Sequence, residues 1–229
     1  MQPIFVTATG TGVGKTYATL RLLELADSLG VRVGAFKAVE TGVVDQPADA
    51  RALWQKLRTL PLGQAPGRAE DLCGATFPLP AAPFCADKRG SLDPGTLLDQ
   101  IREAKTRCDL LIVEGAGGLM VPITREYFMI DLIAELGATA LLVTPSRLGC
   151  INETLLSLEA LKRRKIPHDW CVNLHEDAES FPEVTRPFYD AAFPGWWTLQ
   201  EGLERFVRDH LTQFATMPIK TGDRDAASG

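Results

Sequence analysis

Short apolar runs alternate with amphipathic stretches along most of the chain. "PIFVTAT" (3–9) leads into "KTYATLRLLELADSLG" (15–30), "VRVGAFKA" (31–38) into "DARALWQKLRTL" (49–60), "TLLDQIREAKTR" (96–107) into "DLLIVEGAG" (109–117), and "MIDLIAELG" (129–137) into "ATALLVTP" (138–145). Short runs bounded by turn residues read as strands, and apolar positions recurring every three or four residues read as helices. The alternation predicts an α/β fold, a mostly parallel central sheet with helices on both faces. "LLIVEG" is apolar on both faces, as a central parallel strand should be. The first helix, with Leu20, Leu23 and Leu25 among Ala18 and Ala26, should stop at Gly30, a residue suited to a left-handed cap.

Beyond Pro145 the pattern predicts a helix over 151–165, a strand over 169–174 and a last amphipathic helix over 199–214. Residues 61–90 carry too many prolines and glycines for regular structure, and so long a loop in a compact domain is usually functional or mobile. The stretch 221–229 has no apolar pattern and is expected to be a disordered tail on a single domain spanning 1–220.

Composition narrows the partners. A chain of 229 residues, 45% of them hydrophobic, can bury one large core. Its net charge of -5 disfavours nucleic acid and anionic lipid, so any anionic ligand must be held locally. No segment reaches the roughly 18 apolar residues of a membrane span, and the start of the chain lacks the basic region of a signal peptide, so a cytoplasmic protein is expected. The five cysteines include no C-x-x-C pair and read as reduced, mostly buried thiols. His168, His175 and His210 lack metal-ligand spacing, and no Ser-His-Asp arrangement is visible.

The densest chemistry is "TATGTGVGKT" (7–16). Set against the phosphate-loop pattern G-x-x-x-x-G-K-[ST], it puts Gly14, Lys15 and Thr16 in place but Thr9 where the first glycine belongs. Gly10, Gly12 and Gly14, with Thr11 and Val13 between them, let consecutive N–H groups turn onto a phosphate chain, and the first helical turn at Lys15–Tyr17 adds unpaired donors. Lys15 would neutralise phosphate charge and the Thr16 hydroxyl would reach Mg²⁺. Mg²⁺ also needs carboxylates. Glu114 ends "LLIVEG" beside the loop if that strand neighbours the first; otherwise it is a capping or ion-paired acid. Asp49 is open between a metal ligand and an ordinary first-turn helix acid. Lys37 ends its strand on the same edge, either as a surface lysine or as a second cation for phosphoryl transfer. Gly115–Gly118, including Gly117 and Gly118, permit close backbone approach to a substrate, or form a tight turn.

With "FKAVETG", "DARAL", "IVEGAGGLMVPIT", "RLGCINETLL" and "VNL" following the loop in that order, the chain resembles the dethiobiotin synthases from Phe5 to Leu174. The family's phosphate loop is one residue longer than the strict pattern, which moves its first glycine to Ala8. The resemblance implies a phosphate-loop NTPase fold and a homodimeric ligase that uses ATP, Mg²⁺ and CO₂ or bicarbonate to close a ureido ring on 7,8-diaminononanoate. It implies Lys15 and Lys37 as the phosphate and carbamate lysines, and Thr16, Asp49 and Glu114 as magnesium ligands. Thr41 and Gly118 would meet the diamine, Asn173 the purine, and Leu148, Gly149, Cys150 and Asn152 the substrate carboxylate across the dimer interface. Gly12 stands where some members have glutamate, Phe84 where a histidine is frequent, and "FPGWWTLQEG" differs from the usual base-binding stretch. Two other readings share the loop: an amide-forming ligase, whose added glutaminase domain 229 residues would not hold, and a partition-type ATPase, which would want a further lysine near Thr9–Thr11.

Overall fold

A computed structural model describes residues 1–215. The chain runs β1 (Ile4–Ala8), α1 (Lys15–Ser28), β2 (Val33–Lys37), β3 (Glu40–Thr41), α2 (Ala48–Thr59), a 3-10 turn (Ala69–Leu72), β4 (Thr76–Phe77), α3 (Pro83–Ala86), α4 (Pro94–Thr106) and β5 (Leu110–Gly118). It continues through α5 (Met129–Glu135), β6 (Thr139–Pro145), α6 (Cys150–Arg163), β7 (His168–Asn173), α7 (Phe181–Val184), α8 (Arg186–Ala192), β8 (Trp197–Thr198) and α9 (Leu203–Ala215). The main sheet has the order β2-β5-β1-β6-β7-β8, and its strand pairs are parallel.

Period-two alternation decides which helices cover which face. Ile4, Val6 and Ala8 of β1 join Ala35, Ile112 and Val143 in a core filled by Leu22 and Leu23 of α1, Leu53 and Leu57 of α2, and Phe206 and Val207 of α9. Phe5, between them in sequence, points the other way and meets Phe36, Val113 and Leu142 under Ile101 of α4, Ile133 of α5, Leu158 of α6 and Tyr189 of α8. The predicted two-sided sheet is therefore observed. α1 ends at Ser28, with Gly30 at φ +80 as expected of its stop.

Three stretches differ from expectation. The segment 61–90 is not bare loop: it closes the free edge of β2 through parallel bridges Val33–Gly63 and Lys37–Cys73, and β4 pairs with β3. The prolines that obscured it include Pro83, which opens α3, where a missing N–H costs nothing. The last helix starts at Leu203 rather than 199, because Trp197 and Thr198 join the sheet and Gly202 lies against Trp197 so closely that a Cβ would fall 2.5 Å from the ring. α7 and α8 were not foreseen; their Pro-rich, aromatic sequence packs by ring contacts such as Trp170–Tyr189 at 5.0 Å. The predicted tail at 221–229 lies outside the described residues. Among the described residues the cysteines are unbridged, with Cys108, Cys150 and Cys171 buried, and no helix is long and apolar enough to cross a membrane.

Candidate active site

The sheet places β1, β2 and β5 side by side with their carboxyl ends on one edge, and the loop 9–14 sits on that edge. Gly12 (φ +78) and Gly14 (φ +106) hold left-handed conformations that only glycine adopts without strain. Gly14 is also the residue before α1, and a Cβ on it would lie 2.3 Å from the Asn173 amide nitrogen. No side chain caps α1, so its first N–H groups are available to an anion. Thr9 does not need to be glycine. Its φ is not positive, its N–H donates to Val143 O at 3.2 Å, and its hydroxyl donates to Glu153 of α6 at 3.3 Å. The residue that breaks the strict pattern thus anchors the loop's base.

Behind the loop, strand register assembles a charge cluster. Lys37 pairs with Glu114 across β2 and β5, and its ammonium lies 2.6 Å from Glu114 Oε1 and 2.6 Å from Asp49 Oδ2. The Thr16 hydroxyl lies 2.9 Å from Glu114 Oε1 and 3.2 Å from Asp49 Oδ1, its single proton serving both. Lys37 is only 3% exposed, which removes the surface-lysine reading, and Glu114 is 0% exposed. Burial works against the Lys37 charge, but the Glu114 and Asp49 carboxylates outweigh it and hold its pKa above the ordinary lysine value. Lys15 has no carboxylate in contact. Its ammonium donates to Gly10 O at 2.8 Å, and burial, reinforced by Lys37, lowers its pKa to about 8.

One atom in the cluster has no partner. Glu114 Oε2 is buried without a hydrogen bond, whereas buried carboxylate oxygens are ordinarily satisfied. With the Asp49 carboxylate and the Thr16 hydroxyl beside it, this oxygen completes a hard-oxygen donor set that fits Mg²⁺. That cation takes one or two carboxylates from a protein and fills its remaining positions with water and phosphate. Among the described residues no cluster of three or more acidic, His or Cys side chains competes as a metal centre.

Several of the other candidate residues line one of two clefts. One, of about 410 Å³, is lined by Thr11, Gly12, Lys15, Lys37, Thr41 and Glu114 among others, with the half-exposed Tyr17 at its rim. The second, of about 370 Å³, lies between the loop and α6 and is walled by Thr9, Gly118, Met120 and Leu156. Thr11 and Gly117 line both. Gly118 meets the loop backbone so closely that a Cβ would sit 3.1 Å from the Ala8 and Thr9 carbonyl oxygens. Asn173 is tied to the loop: its Nδ2 donates to Val13 O at 3.0 Å, and its Oδ1 accepts from Gln200 at 3.1 Å. Leu148, Gly149, Cys150 and Asn152 line neither cleft. They form the start of α6, where Gly149 at φ +92 precedes the helix, Leu148 and Asn152 are exposed and Cys150 is buried.

Sequence reasoning missed three polar residues that hold this arrangement. Gln200 carried no signal, because it lies in a stretch without a motif. Glu153, in the "GCINET" segment, looks in sequence like any acid in a first helical turn. Glu40 stands next to Thr41, and its carboxylate accepts from the N–H groups of Asp49 at 2.9 Å and Ala50 at 3.1 Å. An acid at a strand end, facing a helix that begins after a proline, was the available clue.

A family model described as an AAA domain matches residues 2–172. The chain is 56% identical over 208 residues to the ATP-dependent dethiobiotin synthetase BioD of Sulfurovum sp. (strain NBC37-1), covering 91% of this chain and 99% of that protein. It is 40% identical over 215 residues to the same enzyme of Wolinella succinogenes, covering 93% and 99%. Among solved structures, a plasmid partition protein from Borrelia burgdorferi aligns with a TM-score of 0.55 at 10% identity, covering 93% of this chain and 97% of that one. The MinD cell division protein of Aquifex aeolicus gives 0.51 at 16% identity, covering 90% and 86%. Likeness at those identities is one of fold, and fold does not carry function. Identity above one half along nearly all of both chains is a different matter: the chain belongs to the ATP-dependent dethiobiotin synthetase family.

Proposed function

We propose that the cleft beneath the glycine loop is where this enzyme closes the ureido ring of dethiobiotin on 7,8-diaminononanoate, using ATP, Mg²⁺ and CO₂. One substrate amine adds to CO₂ and loses a proton to give a carbamate. The γ-phosphoryl group passes to a carbamate oxygen, and the second amine attacks the resulting carbamic-phosphoric anhydride, expelling phosphate as the ring closes. No protein nucleophile is required, so positioning and electrostatics carry the rate. The observation that carries this reading is the convergence of the Lys37 ammonium, the Thr16 hydroxyl and the Asp49 and Glu114 carboxylates behind a lysine-bearing glycine loop.

In this assignment the 10–17 segment, with the N–H groups that open α1 and the Lys15 ammonium, binds the phosphates. Thr16, Asp49 and Glu114 would hold Mg²⁺, which when bound neutralises charge on the phosphate oxygens. Lys37 neutralises the carbamate and the group in transfer. Thr41, Gly117 and Gly118 orient the diamine. Asn173 works at the purine side while it ties down the loop. The N–H groups at Leu148–Asn152, apart from that of Cys150, which donates to Arg147 O at 3.1 Å, receive the substrate carboxylate from a second copy of the chain, and their position outside both clefts supports a homodimer. We assign residues 1–220 to one ligase domain and the protein to the cytoplasm. The acidic balance of the chain argues against nucleic-acid partners.

Phosphate release with ATP, Mg²⁺ and bicarbonate, with and without the diamine, tests the reaction. Turnover only with the diamine is expected. Diamine-independent hydrolysis, or none in either tube, would overturn the assignment and favour a nucleotide switch. A pH dependence is expected as well. The Lys15 pKa lies at about 8 in the free enzyme, and phosphate favours the ammonium form, so binding above that pH takes up a proton. The affinity for a non-hydrolysable ATP analogue should be flat below about pH 8 and fall by up to tenfold per unit above it. Calorimetry in buffers of different ionisation enthalpy reads the proton directly.

A further inference from the structure

The start of α2 lacks a local cap. Pro47 occupies the position before the helix and has no side-chain acceptor, although an Asp, Ser or Asn there would satisfy the first N–H groups. The acceptor comes instead from β3, where both oxygens of Glu40 are used, Oε1 by Asp49 N–H at 2.9 Å and Oε2 by Ala50 N–H at 3.1 Å. Glu40 is buried, and a buried carboxylate is tolerated only where donors and partial positive charge meet it, which this helix end supplies. Its own backbone is held by Glu40 N–H donating to Ala75 O at 2.9 Å.

A remote cap does what a local one cannot: it ties α2 to the segment that carries Lys37 and Thr41. Lys37 grips the Asp49 carboxylate while Glu40, three residues on, grips the Asp49 backbone. The Asp49 side chain is 37% exposed, so its own packing does not fix it.

We propose that Glu40 is a positioning residue that sets Asp49 for divalent-cation binding by fixing the first turn of α2 to β3. This rests on the reading of Asp49 as a metal ligand. Groups that orient metal-bound carboxylates typically matter by about 10–100-fold in metal affinity. Mn²⁺ affinity, followed by electron paramagnetic resonance with a non-hydrolysable ATP analogue present, should fall about tenfold in Glu40→Ala. Glu40→Gln, which turns an N–H toward one of the two donors, should fall in the same direction. Adding Pro47→Asp to Glu40→Ala restores a local cap without the tie to β3, so it should recover melting temperature and leave Mn²⁺ affinity low; recovery of Mn²⁺ affinity would overturn the proposal. A merely structural cap would lower the melting temperature of Glu40→Ala and Glu40→Gln and leave Mn²⁺ affinity at the wild-type value, which overturns the proposal. Asp49→Asn separates the two claims. If it binds Mn²⁺ like wild type, the metal reading falls and this proposal with it; if it weakens Mn²⁺ while Glu40→Ala does not, only the role of Glu40 falls.

Discussion

Lys37→Met is expected to lose both turnover and stability. Methionine retains most of the stem but removes the charge that lies 2.6 Å from each of two carboxylates. The loss of a cation poised for the transferring group should lower kcat by roughly 10²–10³, the scale of deleting one preorganised electrostatic contact. The stability loss has a separate origin. Glu114 is fully buried, and removing its partner leaves a charge with neither water nor counterion, a defect that typically costs about 3–5 kcal/mol. Asp49 is partly solvated and adds less. Glu114→Gln on the Lys37→Met background should therefore recover most of the stability in urea unfolding and none of the turnover. A Lys37→Met protein as stable as wild type would show that the ammonium does not compensate Glu114.

That coupling explains what was legible in the sequence and what was not. Each parallel strand ends on the same edge, so a polar residue closing an apolar run was enough to bring Lys37 and Glu114 to one place. The register Lys37–Glu114 then made them neighbours. Asp49 was legible as an acid but not as to its role, because a first-turn helix acid and a cluster member look alike in sequence; here it is in the first turn of α2 and in the cluster at once. The partners that fix the site were not legible. Thr9 meets Glu153 across 144 positions and Asn173 meets Gln200 across 27, and neither pair follows from periodicity or a motif. The same limit hid α7 and α8, whose order comes from aromatic packing rather than a repeating apolar face, and β8, two residues that are a strand through their pairing with β7. Leu148–Asn152 form a helix start in a single chain, and the role proposed for them requires a second copy.

The opposite stability outcome is expected at the other lysine. Lys15→Ala should lower turnover by roughly 10²–10³, since the loop loses its charge toward phosphate, yet it should not destabilise the free enzyme at neutral pH. Burial drops the Lys15 pKa from the usual 10.5 to about 8, so between these values the unfolded chain binds more protons than the folded one and stability rises with pH. Below about pH 8 the full penalty applies, on the order of 3 kcal/mol. Alanine removes that penalty and gives up the bond to Gly10 O, worth about 1 kcal/mol, together with some buried stem. Lys15→Ala should thus match or exceed wild-type stability at pH 7, and its advantage should vanish as pH approaches 10.5, in contrast to Lys37→Met at the same neutral pH. Urea unfolding at both ends of that window checks the sign. A Lys15→Ala protein as unstable as Lys37→Met would mean that the free loop stabilises its ammonium, and the loop would then lack the unsatisfied positive charge by which it is argued to capture triphosphate.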